Sequence, residues 1–547
     1  MLRPNGRKPA SGRGYTNRSR RAAPTSNAAS ISPSGITALL FYPNHCGPTP
    51  SHPMPGASSF IEEDLVCHQS SVLPFVWRGY RLGLPYGAGQ ITPLSNNHDI
   101  SDDSEFPPSW PPDVIMEPVS WMRELPMSAA DYSRSVTSGP PMSDKRTVLL
   151  LQGLMGPLFR RLGQELIRSG HSVYKINFNG GDRLFWRLPN GIDYRGSLEG
   201  WPQTLERTIR ECGITDVALF GDCREHHLPA TRVCRELGVP VHVFEEGYVR
   251  PDWVTLELGG VNGHSSLPRD PAWYRETAAA LPPVPAHSQV HSSFRRRATE
   301  GLLYNVADLL TRWHYPHWTN HRPWHPVVEG MGWWRKLRRR KEREMASGAL
   351  IARLEASNQR YFLFPLQLDS DAQIRLHSPF AGIASALRLV IESFAKHAPA
   401  DVRLVVKEHP LDNGVRDWQE ETAAMASLFG VADRVDYLPW GDIVPIAKRS
   451  RGVVTINSTS GTLALAMGVP VVTLGQAIYD MPDITFQDGL DAFWGNPVVP
   501  DAATFAAFQR VLVERCLIPG GFFSEEGLDR VVRHAVARFE GTPLPPE

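Results

Sequence analysis

Four short stretches carry the residue types that do chemistry, and each follows a run that reads as a β-strand. Glu245-Glu246-Gly247-Tyr248 sets two carboxylates side by side. Gln367-Leu368-Asp369-Ser370-Asp371-Ala372-Gln373 places two more among amide and hydroxyl groups. Glu408-His409-Pro410 offers a carboxylate and an imidazole held by a proline, and Asn457-Ser458-Thr459-Ser460-Gly461 offers hydroxyl donors and a glycine. His409 suits hydrogen bonding to a phosphate or carboxylate. The last stretch enters a helix, where exposed N–H groups and the positive dipole end favour an anion; Gly461 would let a ligand approach closely. The plainer readings stay open beside these: Ser458 and Thr459 cap the helix, and the glutamates sit on a solvated turn.

The elements that position these groups follow the strand–helix–strand grammar of a parallel sheet, in which ligands collect outside the carboxyl ends of the strands. Strands are expected at 147–151, 172–178, 217–220 and 240–244, with helices at 158–169 and 226–237. Gln152-Gly153-Leu154-Met155-Gly156-Pro157 is no GxGxxG fingerprint, so a dinucleotide is not indicated. A second set follows, with strands at 361–366, 402–407, 435–438, 453–456 and 471–474 and helices at 380–395, 442–449 and 462–467. The fold class is therefore α/β, two Rossmann-like domains facing a cleft (GT-B type), an arrangement that suits a nucleotide-sugar transferase. The expected division is 1–144 as a low-complexity, disordered extension rich in Pro, Ser, Gly and Asn; 145–269 as the first Rossmann-like domain; 270–350 as an aromatic and basic helical segment; 351–520 as the second; and 521–547 as a tail.

Composition excludes several classes. The 57 basic and 57 acidic side chains cancel, so no global charge argues for nucleic acid. The 6 cysteines lack CxxC spacing, which indicates neither a disulfide framework nor a zinc site and fits a reducing cytosol. Histidines between His314 and His325 match no zinc pattern either, and no apolar run reaches membrane-span length. The local basic feature is Trp333-Trp334-Arg335-Lys336-Leu337-Arg338-Arg339-Arg340-Lys341. Indoles beside dense cationic charge suit the interface of an anionic bilayer, with a solvated helix face as the competing reading.

Six motifs in order, LLQGLMGPLF, FEEGYVRPDWVTLE, GVNGHSSLP, PLQLDSDAQIRLHS, KEHP and INSTSGTLALAMGVPVV, resemble the capsule polysaccharide biosynthesis/export family of KpsS/LipB type. The resemblance spans roughly Arg146 to Phe493. It implies a retaining β-Kdo glycosyltransferase that uses CMP-Kdo, needs no metal or cofactor, and starts a Kdo linker on a phosphatidylglycerol-type lipid. The protein would be cytoplasmic, peripheral on the inner face of the membrane, and partnered by other capsule assembly and export proteins. Residue by residue, it implies Asp371 as nucleophile, with Asp369 a close rival, and Glu246 as the acid/base partner. His409 would bind the donor phosphate, and Ser458 and Thr459 the phosphate or the Kdo carboxylate; Gln367, Glu408 and Gly461 complete the expected substrate-binding set. A non-catalytic export or scaffold protein, or a transferase of another CMP-sugar, is the competing reading.

Overall fold

The computed structural model describes residues 145–249, 252–284, 289–319 and 324–542. The expected extension over 1–144 lies outside the described residues.

The first sheet has seven strands: β1 (Thr147–Leu150), β2 (Ser172–Asn177), β3 (Gly191–Asp193), β4 (Asp216–Phe220), β5 (Val241–Glu246), β6 (Trp253–Leu258) and, from the far end of the chain, β12 (Leu517–Pro519). The second has five: β7 (Tyr361–Pro365), β8 (Arg403–Lys407), β9 (Val435–Leu438), β10 (Val453–Thr455) and β11 (Val471–Thr473). Strand order is β12-β6-β5-β4-β1-β2-β3 in one and β11-β10-β7-β8-β9 in the other. All pairs are parallel except β5–β6 and β6–β12. Helices cover these sheets, so their central strands read as unbroken apolar runs: every residue of DVALF in β4 and YFLFP in β7 is buried. In both sheets the chain starts in the middle and winds outward in opposite directions. That places a switch point between β1 and β4 and another between β7 and β10, where two loops part and leave a crevice.

The helices bury apolar stripes at helical spacing. Leu158, Phe159, Leu162 and Leu166 line the inner face of the helix Leu158–Arg168. Ile383, Leu387, Val390, Ile391 and Phe394 do so in Ile383–His397.

Two regions differ from the sequence expectation. The reading placed 517–519 in the second domain and left 521–547 as a tail. In the structure Leu517 and Ile518 pair with Thr255 and Val254, and the helix Glu525–Glu540 lies on Leu158–Arg168, with Arg161 paired to Asp529 at 2.8 Å. Leu528, Val531, Ala535 and Phe539 enter the same core as Leu158 and Phe244. The helix had legible ends: Ser524 accepts from the Gly527 amide, Glu525 and Glu526 fill the first turn, and Gly541 closes it at φ 67°. The segment 270–350 also divides. Tyr315 and Trp318 are buried in the first domain, Trp318 stacked 6.3 Å from Phe178 and the Tyr315 hydroxyl donating to Asp193 at 2.8 Å. Trp313, two residues earlier, is 81% exposed.

Candidate functional site

The second sheet's switch point is bridged by side chains. Gln367, leaving β7, donates from Nε2 to Asn457 Oδ1 at 2.9 Å, and its Oε1 accepts from the Asn457 amide at 3.2 Å. Asn457 in turn donates to the Gln373 carbonyl at 3.0 Å. The reciprocal pair locks the QLDSDAQ loop onto the NSTSG loop, which fixes where the intervening carboxylates stand.

Those carboxylates divide by their partners. Asp369 is occupied on both oxygens: Oδ1 accepts from the Ile383 amide at 3.0 Å, capping the long helix across a chain gap, and Oδ2 meets Arg416 at 3.3 Å. Gly382 lets this oxygen come close, since a Cβ there would stand 2.9 Å from Asp369 Oδ1 and would have to push it aside. Asp371 caps the short helix Ala372–His377 through Oδ1, 3.0 Å from the Gln373 amide. It keeps some exposed surface, yet the protein packs round it closely: burial raises its pKa, while the Gln373 amide, Gln367 and Arg375 oppose the rise. Asp371 thus has a structural role as a helix cap, and that role engages one carboxylate oxygen.

The glutamates at the end of β5 also part. They lie inside the strand rather than on a turn beyond it. Glu246 forms an ion pair with Arg297 at 3.5 Å, directed to the helix Phe294–Leu310. Glu245 Oε1 accepts from the Glu246 amide at 2.9 Å. Burial first, then the charges of Glu246 and Asp371, push its pKa up to about 7, against the Glu246 amide and Arg224. Asp371 belongs to the second domain and Glu245 to the first, so the Asp371 charge reaches Glu245 across the seam between the domains.

His409 holds its own turn, Nδ1 accepting from the Leu411 amide at 3.1 Å, which in the neutral ring puts the proton on Nε2. Glu408 is buried and turned the other way. Lys336 at 3.0 Å and Arg343 pair with it, and the Tyr437 hydroxyl donates to it at 2.6 Å. Glu408 therefore ties the 326–356 helices to β8, which is a reason for a carboxylate there that requires no substrate. In the NSTSG loop the Ser458 amide donates to Thr455 Oγ1 at 3.2 Å, the Ser460 amide to Ser458 Oγ at 3.1 Å, and the Gly461 amide to the Ser458 carbonyl at 2.9 Å. Donors expected to face an anion are spent inside the protein, the Ser458 hydroxyl included, which donates to Ser460 Oγ at 3.2 Å; the Ser458 and Thr459 side chains are partly exposed. Gly461 admits the Tyr479 ring, whose hydroxyl occupies the place of a Cβ; its smallness serves packing.

Sequence reading missed the residues that join the two domains. Asn262 donates to Gln373 Oε1 at 3.1 Å and accepts from the Ile478 amide at 3.1 Å. Thr462 donates to the Tyr248 carbonyl at 2.8 Å. Beneath them the Tyr248 hydroxyl donates to Glu257 at 3.0 Å and accepts from the Asn262 amide at 2.6 Å. Burial lifts the Glu257 pKa to about 7. The clue was the number of polar residues in GVNGHSSLP and EEGY that no helix or turn required.

A match to the family described as "Capsule polysaccharide biosynthesis protein" covers residues 215–523. The chain is 33% identical over 378 residues to the "Capsule polysaccharide export protein KpsS" of Escherichia coli, covering 69% of this chain and 96% of that protein. It is 33% identical over 390 residues to the "Capsule polysaccharide modification protein LipB" of Neisseria meningitidis serogroup B, covering 70% and 93%. Among solved structures it is similar to "Thermosulfurimonas dismutans KpsC, beta Kdo 2,7 transferase", at 14% identity and TM-score 0.35 over 72% of this chain and 100% of that one. A UDP-N-acetylglucosamine 2-epimerase structure from Listeria monocytogenes stands at 13% and 0.26, over 74% and 99%. The fold therefore rests on the chain's own sheet topology.

Proposed function

The chain belongs to the capsule polysaccharide biosynthesis family, and from that premise we propose that it is a glycosyltransferase moving Kdo from CMP-Kdo to a phosphatidylglycerol-type lipid, with net retention, to start the capsule linker. The observation that supports this reading best is the Gln367–Asn457 lock, which holds the Asp371 loop at the second sheet's switch point, with Glu245 of the first domain feeling the Asp371 charge. Two carboxylates in unlike environments suit a double displacement. Asp371 attacks the anomeric carbon, the C–O bond to the phosphate breaks, and CMP leaves with the electron pair. The acceptor hydroxyl then attacks the same carbon, its proton passes to Glu245, and the bond to Asp371 breaks. Glu245 takes the acid/base role in preference to Glu246, which Arg297 draws away. His409, Ser458 and Thr459 hold the donor's phosphate or carboxylate.

The helices Phe294–Leu310 and Pro326–Arg338 support a lipid acceptor. Leu302, Val306, Leu309 and Leu310 recur at helical spacing and are exposed, with Trp313 just beyond. On the second helix Val327, Met331, Trp334 and Leu337 are exposed near Arg338 and Lys341. No helix among the described residues is long and apolar enough to cross a membrane. Such helices suit docking on the inner, anionic face of the cytoplasmic membrane, beside other capsule assembly proteins. The test is to offer the purified chain a fluorescent phosphatidylglycerol-type acceptor and a panel of CMP-sugars, reading products by mass spectrometry. Transfer from CMP-Kdo supports the reading; transfer from another CMP-sugar replaces the donor; no transfer from any supports an export or scaffold role.

A further inference from the structure

Four potential metal ligands meet at the seam between the two domains. Asp222 and Cys223 follow β4 at the first sheet's switch point, His264 comes from the GVNGHSS loop, and His377 ends the helix that begins beside Asp371. One ligand atom from each lies within 4.8 Å of all the others. Cys223 Sγ is 3.3 Å from Asp222 Oδ1 and 3.3 Å from His377 Nε2; His264 Nδ1 is 3.0 Å from Asp222 Oδ2. The imidazole rings stand edge to face at 4.4 Å. Bonds of 2.0–2.3 Å to a central ion give a tetrahedron with edges of about 3.3–3.8 Å, so three of the contacts stand near the required spacing and the remaining pairs, all within 4.8 Å, need a small inward shift.

We propose that Asp222, Cys223, His264 and His377 form a binding site for a divalent transition ion of the zinc class, clamping the second domain's Asp371-bearing helix to the first domain. The donor set is one thiolate, one carboxylate and two imidazoles, the mixture that suits zinc and disfavours magnesium or calcium. The thiolate and carboxylate together neutralise a divalent charge, which a buried site demands. Binding releases the Cys223 thiol proton to solvent, the imidazoles binding in their neutral form. Asp222, Cys223 and His377 are buried, whereas the His264 side chain is 44% exposed and gives an ion its route in. Four protein ligands fill a tetrahedron, so the ion's role is positional: it fixes the end of a helix whose start holds Asp371.

The site stands independently of which sugar is transferred. The full chain, purified without chelator, is analysed for metal by mass spectrometry, stripped, and titrated with Co2+. The expected result is one ion per chain, with a thiolate-to-cobalt band in the near ultraviolet and strong tetrahedral d–d absorption. Cys223→Ser should abolish the near-ultraviolet band. His264→Ala, at the exposed ligand, should weaken binding by more than the roughly 10–100-fold that losing an outer partner costs. Circular dichroism confirms that each variant folds. Failure of the folded parent to bind Zn2+ or Co2+ overturns the proposal, as does a cobalt spectrum unchanged in Cys223→Ser.

Discussion

Asp369→Asn and Asp371→Asn should separate stability from chemistry in opposite directions. An asparagine at 369 can keep its oxygen on the Ile383 amide, but then its NH2 faces Arg416 where a carboxylate oxygen stood. The pair is partly exposed, at 22% and 33%, so losing it costs about 1 kcal/mol, or roughly 2 °C of melting temperature in a body this size. Turnover should stay near normal. At 371, asparagine keeps the cap on Gln373, because Asn and Asp cap equally well. It also removes a charge that burial disfavours. Since the folded-state pKa of Asp371 is raised, its contribution to stability is full below the unfolded value and lost as pH rises through the folded one. At pH 8 the Asn variant should therefore melt at or above the parent. A lost nucleophile should cut turnover by about a thousandfold, which is roughly 4 kcal/mol of barrier. Melting by differential scanning fluorimetry and transfer by mass spectrometry are read on both variants. A stable Asp371→Asn with normal turnover refutes the nucleophile; Asp369→Asn as the inactive, stable partner moves the role two residues.

Glu245 acting as base should give a turnover rising with pH through a midpoint below the value of about 7 it has in the free protein, and Glu245→Gln should remove that limb and lower turnover roughly 10²–10⁴-fold; an unchanged pH profile in the variant refutes the assignment. Trp334→Ala with Arg338→Gln and Lys341→Gln should reduce sedimentation with phosphatidylglycerol vesicles, each cation being worth about 1 kcal/mol, and high salt should do the same; unchanged sedimentation refutes the docking face. Lys336 is left intact because it is buried, donating to the Asp412 carbonyl at 2.7 Å and pairing with Glu408, so its loss would unseat the KEHP turn. Deleting residues 1–140 should leave transfer in place, and a folded but inactive truncation refutes that.

Local order was legible because parallel strands announce themselves as apolar runs and their exits as polar loops: VDYL, YFLFP and VVT stand within a residue of where their types put them. Pairing across long separations was not. β12 is three residues long and finds β6 more than 250 positions back, a choice made by the core around Phe522 and Phe539. The basic run gave its charge in the sequence but not its direction. Lys336 points into the fold while Arg338 lies over Trp334 at 4.6 Å, a split that only the helix's packing decides. Likewise Glu245 and Glu246 are chemically identical neighbours, and strand alternation sends one to the cleft and the other to Arg297.

That alternation has a consequence for the order of proton movements. The Asp371 charge disfavours ionisation of Glu245, so a proton shared between the two rests on Glu245, while the Gln373 amide, Gln367 and Arg375 hold the charge of Asp371. Asp371 is thereby the anion when attack on the donor requires one. Once it is esterified to the sugar its charge is gone, and the pKa of Glu245 must fall. Glu245 then releases its proton and becomes a base at the stage when the acceptor hydroxyl needs one. Asp371→Asn reproduces the uncharged state without the sugar. With carboxyl-¹³C glutamate, the Glu245 resonance, identified by its loss in Glu245→Gln, should titrate near 7 in the parent and at a lower pH in Asp371→Asn. A midpoint that stays in place or rises would show that the two carboxylates do not sense each other, and the coupled mechanism would fall with it.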